Sequence, residues 1–503
     1  MDKKIFNIIA VIAISIICFA LTPITFQNDT FYTIKIGEHI LNSGIDMQDS
    51  FSWHNDIPYT YPHWAYDLIT YVIFNQYNFI GVYIFTVILA IVLGITVYYT
   101  NVKINKNHII SLIVTIIIMI MFKTYIAARA QLLTFILFVL TIMCIEKFLE
   151  TKKIIYAVIL VLIPIIIANV HAAVWPFYFI LFLPYIAEYM IAIIYKKYVD
   201  IDSNNSKIII EKNSNVKWLF LIISIASLTG FLTPLGTTPY TYLIKTLIGT
   251  TTKSIAEHTP LILIYKKEII AIFLIFTAIL TFTKVKIRVR DLCMFLGLAI
   301  LAIASSRQVS MLLLIGNIII IKTICSLINI YAKQNWEQEI LNVFRNKIIC
   351  VLFIILSILI GIALFIGQKN DKFIDETLYP VNASKWINEN LDIENIRLYN
   401  EYNYGSYLLF EGIPVFIDSR ADLYTPEFNG QKDENGKYIG KNIFDDFIQI
   451  YGFKTYYQDK FDEYGITHVI LQTNSKLNML ISRDDNYEQI YLDDAFVIYE
   501  FKQ

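Results

Sequence analysis

Long apolar runs alternate with short polar loops along the chain as far as residue 367. A membrane-spanning helix needs about 20 mostly apolar residues, and the runs approach that length. The pattern predicts a multi-span α-helical membrane bundle of about 11 helices, at 5–25, 79–100, 108–122, 132–149, 154–170, 176–195, 217–233, 268–283, 291–304, 308–330 and 348–366.

Two segments depart from this alternation. Residues 26–78 mix polar and aromatic side chains in one long loop, in which Trp64 to Tyr77 predicts an amphipathic helix at the membrane interface. Residues 368–503 are polar and predict a separate α/β domain. Its expected helices are Ala383–Leu391 and Ile443–Tyr451, and its expected strands are Ile396–Asn400, Val415–Asp418, His468–Gln472 and Phe496–Phe501. We therefore divide the chain into a transmembrane module, 1–367, which includes loop 26–78, and the domain 368–503.

Basic residues fall in every second loop and so predict the orientation. Loops at the cytoplasmic face are usually rich in Lys and Arg. The basic loops carry Lys3 and Lys4, Lys103 and Lys106, Lys147, Lys152 and Lys153, Lys196 and Lys197, Lys284 to Arg290, and Lys333, Arg345 and Lys347. We expect a multi-pass protein of the cell membrane with a cytoplasmic N-terminus, whereas loop 26–78 and the domain 368–503 are extracytoplasmic.

Composition excludes several classes of function. Hydrophobic residues make up 56% of the 503 positions, and the net charge of −1 gives no basic field for nucleic acid. The five cysteines form no CxxC pair and lie in apolar runs, which argues against a disulfide framework or a zinc cluster. No P-loop, GxSxG or HExxH motif is present, so an ATP-driven pump, a serine hydrolase and a metalloprotease are not indicated.

Ionisable residues in or beside the predicted spans gather at the outer face. Such residues are costly in a membrane and therefore mark functional candidates. Transfer of a sugar from a lipid phosphate needs a carboxylate to deprotonate the acceptor and a cation for the departing phosphate. Asp29 is the candidate base, and Arg129 and Arg307 are the candidate phosphate partners. The further candidates for substrate binding are His63, Asp49, Asn169, His171 and Glu257.

Structural roles are the alternative for each of these residues. Asp29 could cap a helix, and an arginine at a helix end could extend to lipid headgroups. Asn169 and His171 could satisfy the end of a helix. For the segment Asp418–Asp422 the favoured interpretation is a turn with an internal ion pair.

Several short motifs, in order along the chain, resemble the GT-C superfamily of integral-membrane glycosyltransferases. The motifs are Asp29-Thr30-Phe31-Tyr32, Gly37-Glu38-His39, Asp49-Ser50-Phe51-Ser52-Trp53, Pro62-His63-Trp64, Ala128-Arg129-Ala130-Gln131, Asn169-Val170-His171, Thr233-Pro234-Leu235-Gly236, Ser306-Arg307-Gln308, Asn400-Glu401-Tyr402 and Asp418-Ser419-Arg420. The likeness implies an inverting transfer from a polyprenyl-phosphate sugar to a lipid, glycan or protein acceptor, with the Asp29 position as the base.

The chain also departs from this family. Many members carry two neighbouring acidic residues in the first loop, whereas Asn28 precedes Asp29 here. A divalent metal therefore stays an open question, with Asp49 as the candidate second carboxylate. Two rival hypotheses also stay open. One is a secondary transporter or lipid-handling protein, and the other is an inactive GT-C-like scaffold that binds a cell-surface polymer.

Overall fold

The computed structural model describes residues 2–198, 207–249, 251–332 and 335–502, so Lys333 of the basic loops lies outside the described residues. The chain is mostly helical. Its contacts divide it into two compact units. Unit 1 comprises 1–23, 84–239 and 256–369, and unit 2 comprises 24–83, 240–255 and 370–503. Loop 26–78, which the sequence analysis assigned to the transmembrane module, thus groups with the C-terminal segment.

The helices follow one another along the chain with short turns of 3₁₀ helix between some of them. They are α1 (Asp2–Leu21), α2 (Asn28–Ser43), α3 (Trp64–Asn105), α4 (His108–Met121), α5 (Ala130–Thr151), α6 (Ile154–Val170), α7 (Trp175–Ile180), α8 (Leu183–Tyr198), α9 (Val216–Leu228), α10 (Thr238–Ile248), α11 (Thr251–Ser254), α12 (Lys267–Phe282), α13 (Val289–Ala304), α14 (Val309–Tyr331), α15 (Trp336–Val343), α16 (Lys347–Phe365), α17 (Val381–Asn390), α18 (Tyr402–Phe410), α19 (Pro426–Asn429), α20 (Ile443–Tyr451), α21 (Tyr457–Tyr464) and α22 (Lys476–Ile481).

The strands are short and most of them belong to unit 2. They are β1 (Ile208–Ile209), β2 (Ile287–Arg288), β3 (Leu398–Tyr399), β4 (Gln431–Lys432), β5 (Tyr438–Ile439), β6 (His468–Gln472), β7 (Tyr487–Leu492) and β8 (Phe496–Phe501). In unit 2 the order β3-β6-β8-β7 forms one mixed sheet, in which β3 runs parallel to β6 and the other neighbours are antiparallel. The buried central strand β6 packs against α22, and α17 packs against β7 and β8.

Six helical segments of the described chain are long and apolar enough to cross a membrane. They are Lys3–Leu21, Trp64–Asn105, Ala130–Thr151, Ala172–Ile194, Ser306–Tyr331 and Lys347–Gln368. The shorter apolar helices are His108–Met121, Ile154–Val170 and Val216–Phe231. The remaining two predicted spans overlap α12 and α13, which have 16 residues each. A mostly helical fold with several candidate membrane-spanning helices is therefore confirmed, and the count of eleven spans stays a prediction.

In unit 1 the helices pack through apolar faces with a few buried polar contacts. The helix α1 packs against α16, α5 packs against α6, and α13 packs against α14. Between α3 and α14, the Asn101 amide donates to the Asn317 carbonyl oxygen at 2.8 Å, and both side chains are fully buried. A polar pair of this kind helps to fix how two helices meet inside a membrane, because neither group can reach water.

In unit 2, close backbone contacts fix where helices start and how they lie. Glu401 precedes α18 and forms a reciprocal capping box with Tyr404, which satisfies donors at the start of the helix. A methyl group on Gly405 would lie 2.0 Å from the Ile417 carbonyl oxygen, so α18 approaches that backbone as only glycine allows. The helix α18 also packs against α2, whose Asn28 amide donates to the Tyr402 carbonyl oxygen at 2.9 Å.

Candidate functional site

Asp29, the predicted base, lies in the first turn of α2 in unit 2 and is half-buried. The helix begins after Gln27, whose side chain makes no capping hydrogen bond. A carboxylate in a first turn is stabilised by the partial positive charge at the helix N-terminus. This position is compatible both with a structural role at the helix end and with a role as a base.

The direction of α2 is fixed by a contact two turns beyond Asp29. A methyl group on Gly37 would lie 2.2 Å from the Asp67 carbonyl oxygen and 2.6 Å from the Tyr71 Cβ atom. Glycine is therefore required for α2 to lie directly against the first part of α3. His63, the next predicted residue, lies immediately before α3, and its carbonyl oxygen accepts from the Asp67 amide at 3.0 Å.

Asp49 is buried in a charge cluster that we call the Arg420 cluster, formed by Asp49, Asp418 and Arg420. The Arg420 Nη1 atom donates to Asp49 at 2.7 Å, while its Nε and Nη2 atoms donate to Asp418 at 2.9 and 2.7 Å. The guanidinium also lies over the rings of Phe51 and Tyr59, at 5.2 and 4.9 Å from their centroids. Burial alone would lower the pKa of Arg420, but Asp418 and Asp49 raise it well above its usual value. The cluster joins the first loop to the C-terminal segment within unit 2.

Glu401 and His54 are among the titratable groups of unit 2 whose pKa values are shifted by burial, and neither was predicted as a site residue. Burial raises the pKa of Glu401 to about 7. Burial lowers the pKa of His54 to about 4, although its ring contacts the Phe416 carbonyl oxygen at 2.8 Å. The only sequence signal for Glu401 was its place in the motif Asn400-Glu401-Tyr402, since burial cannot be read from that pattern.

In unit 1 the structure brings Arg129 together with Glu257, two residues that the sequence analysis proposed separately. Arg129 directly precedes α5, and its Nη1 atom lies 3.7 Å from the Glu257 Oε1 atom. The arginine side chain is 21% exposed and the glutamate 54%, so water screens this pair. The pair can therefore exchange its partners for a ligand at little cost.

Arg307 and His171 line one small cavity of about 40 Å³ in unit 1. The Arg307 Nη1 atom contacts the His258 Nε2 atom at 3.4 Å, and the buried His171 ring contacts the Thr134 hydroxyl at 3.0 Å. Gln131 lines the same cavity, two residues after Arg129. A planar guanidinium beside an imidazole and an amide provides several donors for an anionic or hydroxylated group.

A loop contact holds Arg307 and His258 together. The Ser306 amide donates to the Thr259 carbonyl oxygen at 3.0 Å, and the Ser306 hydroxyl lies 3.2 Å from the Glu257 carbonyl oxygen. The sequence analysis did not propose Gln131, Thr134, His258 or Ser306, although Gln131, His258 and Ser306 lie within two residues of a proposed one.

Asn169 takes part in a local contact at the end of α6. Its amide donates to the Ile165 carbonyl oxygen at 2.8 Å and to the Leu232 carbonyl oxygen at 2.9 Å. These bonds tie the end of α6 to the turn that follows α9. Asn169 therefore supports the position of His171, two residues later, and does not line the small cavity.

Metal ligands do not cluster in the part of the chain that the structure describes. No group of three His, Cys, Asp or Glu side chains among these residues could hold a metal ion. We assign no chemical step to a metal ion.

Two solved structures of the Archaeoglobus fulgidus oligosaccharyltransferase are similar to this chain. The apo crystal structure has a TM-score of 0.58 and 11% identity, and the alignment covers 94% of this chain and 69% of that one. This chain has the fold of an oligosaccharyltransferase. The second structure, tethered through a disulfide to an acceptor peptide with an NVT sequon, has a TM-score of 0.51, 10% identity and the same coverage.

The GT-C resemblance proposed from the motifs is thereby confirmed as a likeness of fold, because these oligosaccharyltransferases are GT-C enzymes. No protein-family model matches the chain. No curated protein matches it either.

Proposed function

We propose that this protein is a membrane glycosyltransferase that moves a sugar from a polyprenyl-phosphate donor to an acceptor hydroxyl at the outer face of the membrane. The single observation that carries the proposal is the fold likeness over 94% of the chain to oligosaccharyltransferase structures. Within unit 2 the place of Asp29 in the first turn of α2 supports it, and within unit 1 the small cavity lined by Arg307 does so. We also propose the orientation predicted by the basic loops, with the N-terminus cytoplasmic and the segment 368–503 extracytoplasmic.

The proposed reaction is a direct displacement at the anomeric carbon of the sugar. Asp29 accepts the proton of the acceptor hydroxyl while that oxygen forms the new bond to the anomeric carbon. The bond from the anomeric carbon to the phosphate oxygen breaks, and polyprenyl phosphate leaves with the bonding electrons. Because attack and departure occur on opposite faces, the configuration inverts.

The arginines of unit 1 are assigned to the phosphate of the donor. Negative charge increases on that phosphate as the glycosidic bond breaks, and a guanidinium held in place stabilises the charge. Arg307 has a further advantage, since its contact with the His258 imidazole is long, at 3.4 Å. His171 and Gln131, which line the same cavity, are assigned to hydroxyl groups of the substrate.

The fold likeness does not determine which class of acceptor receives the sugar. One similar structure carries a peptide acceptor, so a peptide joins lipid and glycan acceptors among those to be tested. The buried Asp49 is assigned a structural role in the Arg420 cluster, because its carboxylate is fully buried and already accepts from Arg420.

The decisive test is sugar transfer by the reconstituted full-length protein. Proteoliposomes are supplied with polyprenyl-phosphate hexoses labelled in the sugar, together with lipid, glycan and peptide acceptors. For Asp29→Asn we expect a rate at least about 100-fold lower than wild type, the usual contribution of a positioned base. The matched control is Glu38→Gln, which also converts a carboxylate to an amide in α2, at a half-buried position beside Lys35.

Normal transfer by folded Asp29→Asn protein would remove Asp29 from the mechanism. Absence of transfer by the wild type with every donor and acceptor, combined with flux of the labelled lipid across the bilayer, would favour the transporter hypothesis instead.

A further inference from the structure

A second, larger cavity lies in unit 1, far from the residues of that unit that are assigned to sugar transfer. Its volume is about 540 Å³, within the range of small-molecule sites. It is formed where α3 and α5 end, where α13 begins and along the last turns of α14. The cavity reaches Glu146 of α5, 17 residues beyond Arg129, and a helix of that length spans about 25 Å. We call it the basic cavity.

The innermost wall of the basic cavity is a buried network of charges from four helices. Lys322 of α14 donates to Asp291 at 2.7 Å and to Glu146 at 3.0 Å, and Arg290 donates to Glu146 at 3.2 Å. Arg290 also lies 3.8 Å from Glu188 of α8, and both side chains are at most 6% exposed. Ionic groups placed between membrane helices are costly compared with apolar ones, so a network retained there indicates a function.

The outer wall of the cavity has an excess of cations. Glu150 lies between two lysines, 2.5 Å from the Lys147 Nζ atom and 3.4 Å from the Lys106 Nζ atom. Arg288 contacts Glu211 at 3.0 Å. Among the described residues, the whole lining has four acidic side chains and six basic ones, which are Lys106, Lys147, Lys286, Arg288, Arg290 and Lys322. A concave site with this balance concentrates a positive potential and attracts anions.

We propose that the basic cavity binds a phosphate ester that also carries hydroxyl groups. Arginine and lysine recognise phosphate oxygens in complementary ways, one as a fork of donors and the other as a compact charge. The carboxylates in the lining, together with Asn213, Ser326 and Asn329, accept hydrogen bonds from hydroxyl groups. Basic pockets between membrane helices at the cytoplasmic side commonly bind anionic headgroups. This ligand site goes beyond the proposed glycosyl transfer and does not depend on it.

The ligand could come from the bilayer or from water. Glycerol phosphate groups occur in both, so they can be used to distinguish the two sources. Phosphatidylglycerol presents a glycerol phosphate from the bilayer, whereas free glycerol phosphate presents the same group from water. The full-length protein is placed in nanodiscs of phosphatidylcholine, with or without phosphatidylglycerol, and lipid retention is counted by native mass spectrometry. In the second arm glycerol phosphate is titrated into phosphatidylcholine nanodiscs, and thermal stabilisation is recorded.

The test variant is Lys147→Gln with Arg288→Gln, and the matched control is Lys103→Gln with Lys153→Gln. Both pairs remove two positive charges from the same set of loops, but Lys103 and Lys153 do not line the cavity. Because a basic residue near an anionic headgroup contributes about a factor of five, we expect the test variant to bind roughly 25-fold more weakly. The control should bind as the wild type does.

Each outcome decides something. Loss of phosphatidylglycerol retention only in the test variant supports a lipid ligand, and loss of stabilisation by glycerol phosphate only in that variant supports a soluble one. Equal losses in both pairs would reduce the effect to surface charge and overturn the proposal. Absence of retention and of stabilisation in the wild type would overturn it as well. Melting temperatures without ligand show whether the test variant is folded.

Discussion

Two arginines of this protein, Arg420 in unit 2 and Arg307 in unit 1, have opposite surroundings. Arg420 is 3% exposed, lies over two aromatic rings and donates to two carboxylates at 2.7 to 2.9 Å. Arg307 lines a cavity and contacts an imidazole at 3.4 Å. The same side chain thus serves as an internal tie where its donors are satisfied by charge, and as a candidate ligand group where its contacts are weak enough to be exchanged.

The short motifs that contain these two arginines differ in the same way. The motif Asp418-Ser419-Arg420 contains its own ion pair, whereas Ser306-Arg307-Gln308 contains no acid. An arginine whose carboxylate is two residues away is already neutralised in its own turn. This suggests that a motif with an arginine and no local acid is the better candidate for an anionic substrate.

The largest expected effect concerns Arg420. In Arg420→Gln the buried carboxylates of Asp49 and Asp418 lose their cation, and we expect unit 2 to be destabilised by about 3–5 kcal/mol. Thermal unfolding of the purified protein and limited proteolysis of the C-terminal segment measure this loss. The exposed Arg483→Gln is the control and should change stability by no more than about 0.5 kcal/mol. Unchanged melting of Arg420→Gln would show that the cluster is not an internal tie.

The next largest effect is expected at Glu401 and concerns the dependence of stability on pH. Its pKa is raised by burial from 4.5 to about 7, so its protonated form is favoured in the folded state. The stability that it contributes is complete below pH 4.5 and is lost as the pH rises through 7. The loss is about 3 kcal/mol at 1.36 kcal/mol per pKa unit. We expect Glu401→Gln, which keeps an oxygen for the capping box, to remove this slope from the stability profile between pH 4.5 and 7.

His54 provides the opposite slope as a control, because burial lowers its pKa to about 4. The stability that it contributes is present above pH 6.5 and is lost as the pH falls through 4. In His54→Gln that acid-side loss should disappear, whereas the slope assigned to Glu401 should persist. The two pH ranges overlap between 4.5 and 6.5, so the sign of the change distinguishes the two groups. If both variants changed the slope there in the same direction, the assignment of one of the two pKa shifts would be wrong.

Arg307→Gln should separate activity from stability. If Arg307 contacts the donor phosphate, its loss removes charge-assisted hydrogen bonds of about 1.5–3 kcal/mol, so transfer should fall roughly tenfold to a hundredfold. Melting should stay near that of the wild type, because the side chain is not held by buried carboxylates. A melting loss as large as that of Arg420→Gln, without a selective loss of transfer, would place Arg307 in the same structural class.

The smallest effect is expected at the pair formed by Arg129 and Glu257. The two atoms are 3.7 Å apart and Glu257 is more than half exposed, so the pair should contribute less than about 1 kcal/mol to folding. We expect Glu257→Gln to leave melting unchanged. Because that change also releases Arg129 from its carboxylate, the apparent affinity for the phosphate donor should rise slightly, and a KM measurement checks the direction.

Sequence periodicity predicted helices and strands correctly where the local pattern of apolar residues was enough to determine them. The helix α20 and the strands β6 and β8 have the predicted bounds, and the Asp418–Arg420 ion pair was anticipated from the turn. The expected strand Val415–Asp418 does not form. Val415 makes a single bridge to Ser52, and the Phe416 amide donates to the Asn400 side chain instead of to a neighbouring strand. Side-chain acceptors that replace a strand cannot be recognised from alternation alone.

Contacts between residues far apart along the chain could not be predicted from the sequence. Asp49 and Arg420 are 371 positions apart, and nothing in either motif signals that they meet. Likewise, the helix predicted for Trp64–Tyr77 continues through Asn78, at φ 56°, into the following span, so two predicted elements form one helix with a break. The residues of the small cavity were found in part, because Arg307 and His171 stand out chemically, whereas Gln131 and Thr134 acquire meaning only from their neighbours.

Because Gly37 has no side chain, α2 can lie close to α3, and the position of the Asp29 carboxylate depends on that contact. The two residues are eight positions apart on α2, about 12 Å along its axis. One added carbon at position 37 would meet the α3 backbone at 2.2 Å and force the helix to tilt or slide, moving the carboxylate with it. A tenth of a nanometre of misalignment can suppress an enzymatic rate a hundredfold. A substitution of Gly37 is therefore expected to reduce catalysis, although this residue is not one of those assigned to the substrates.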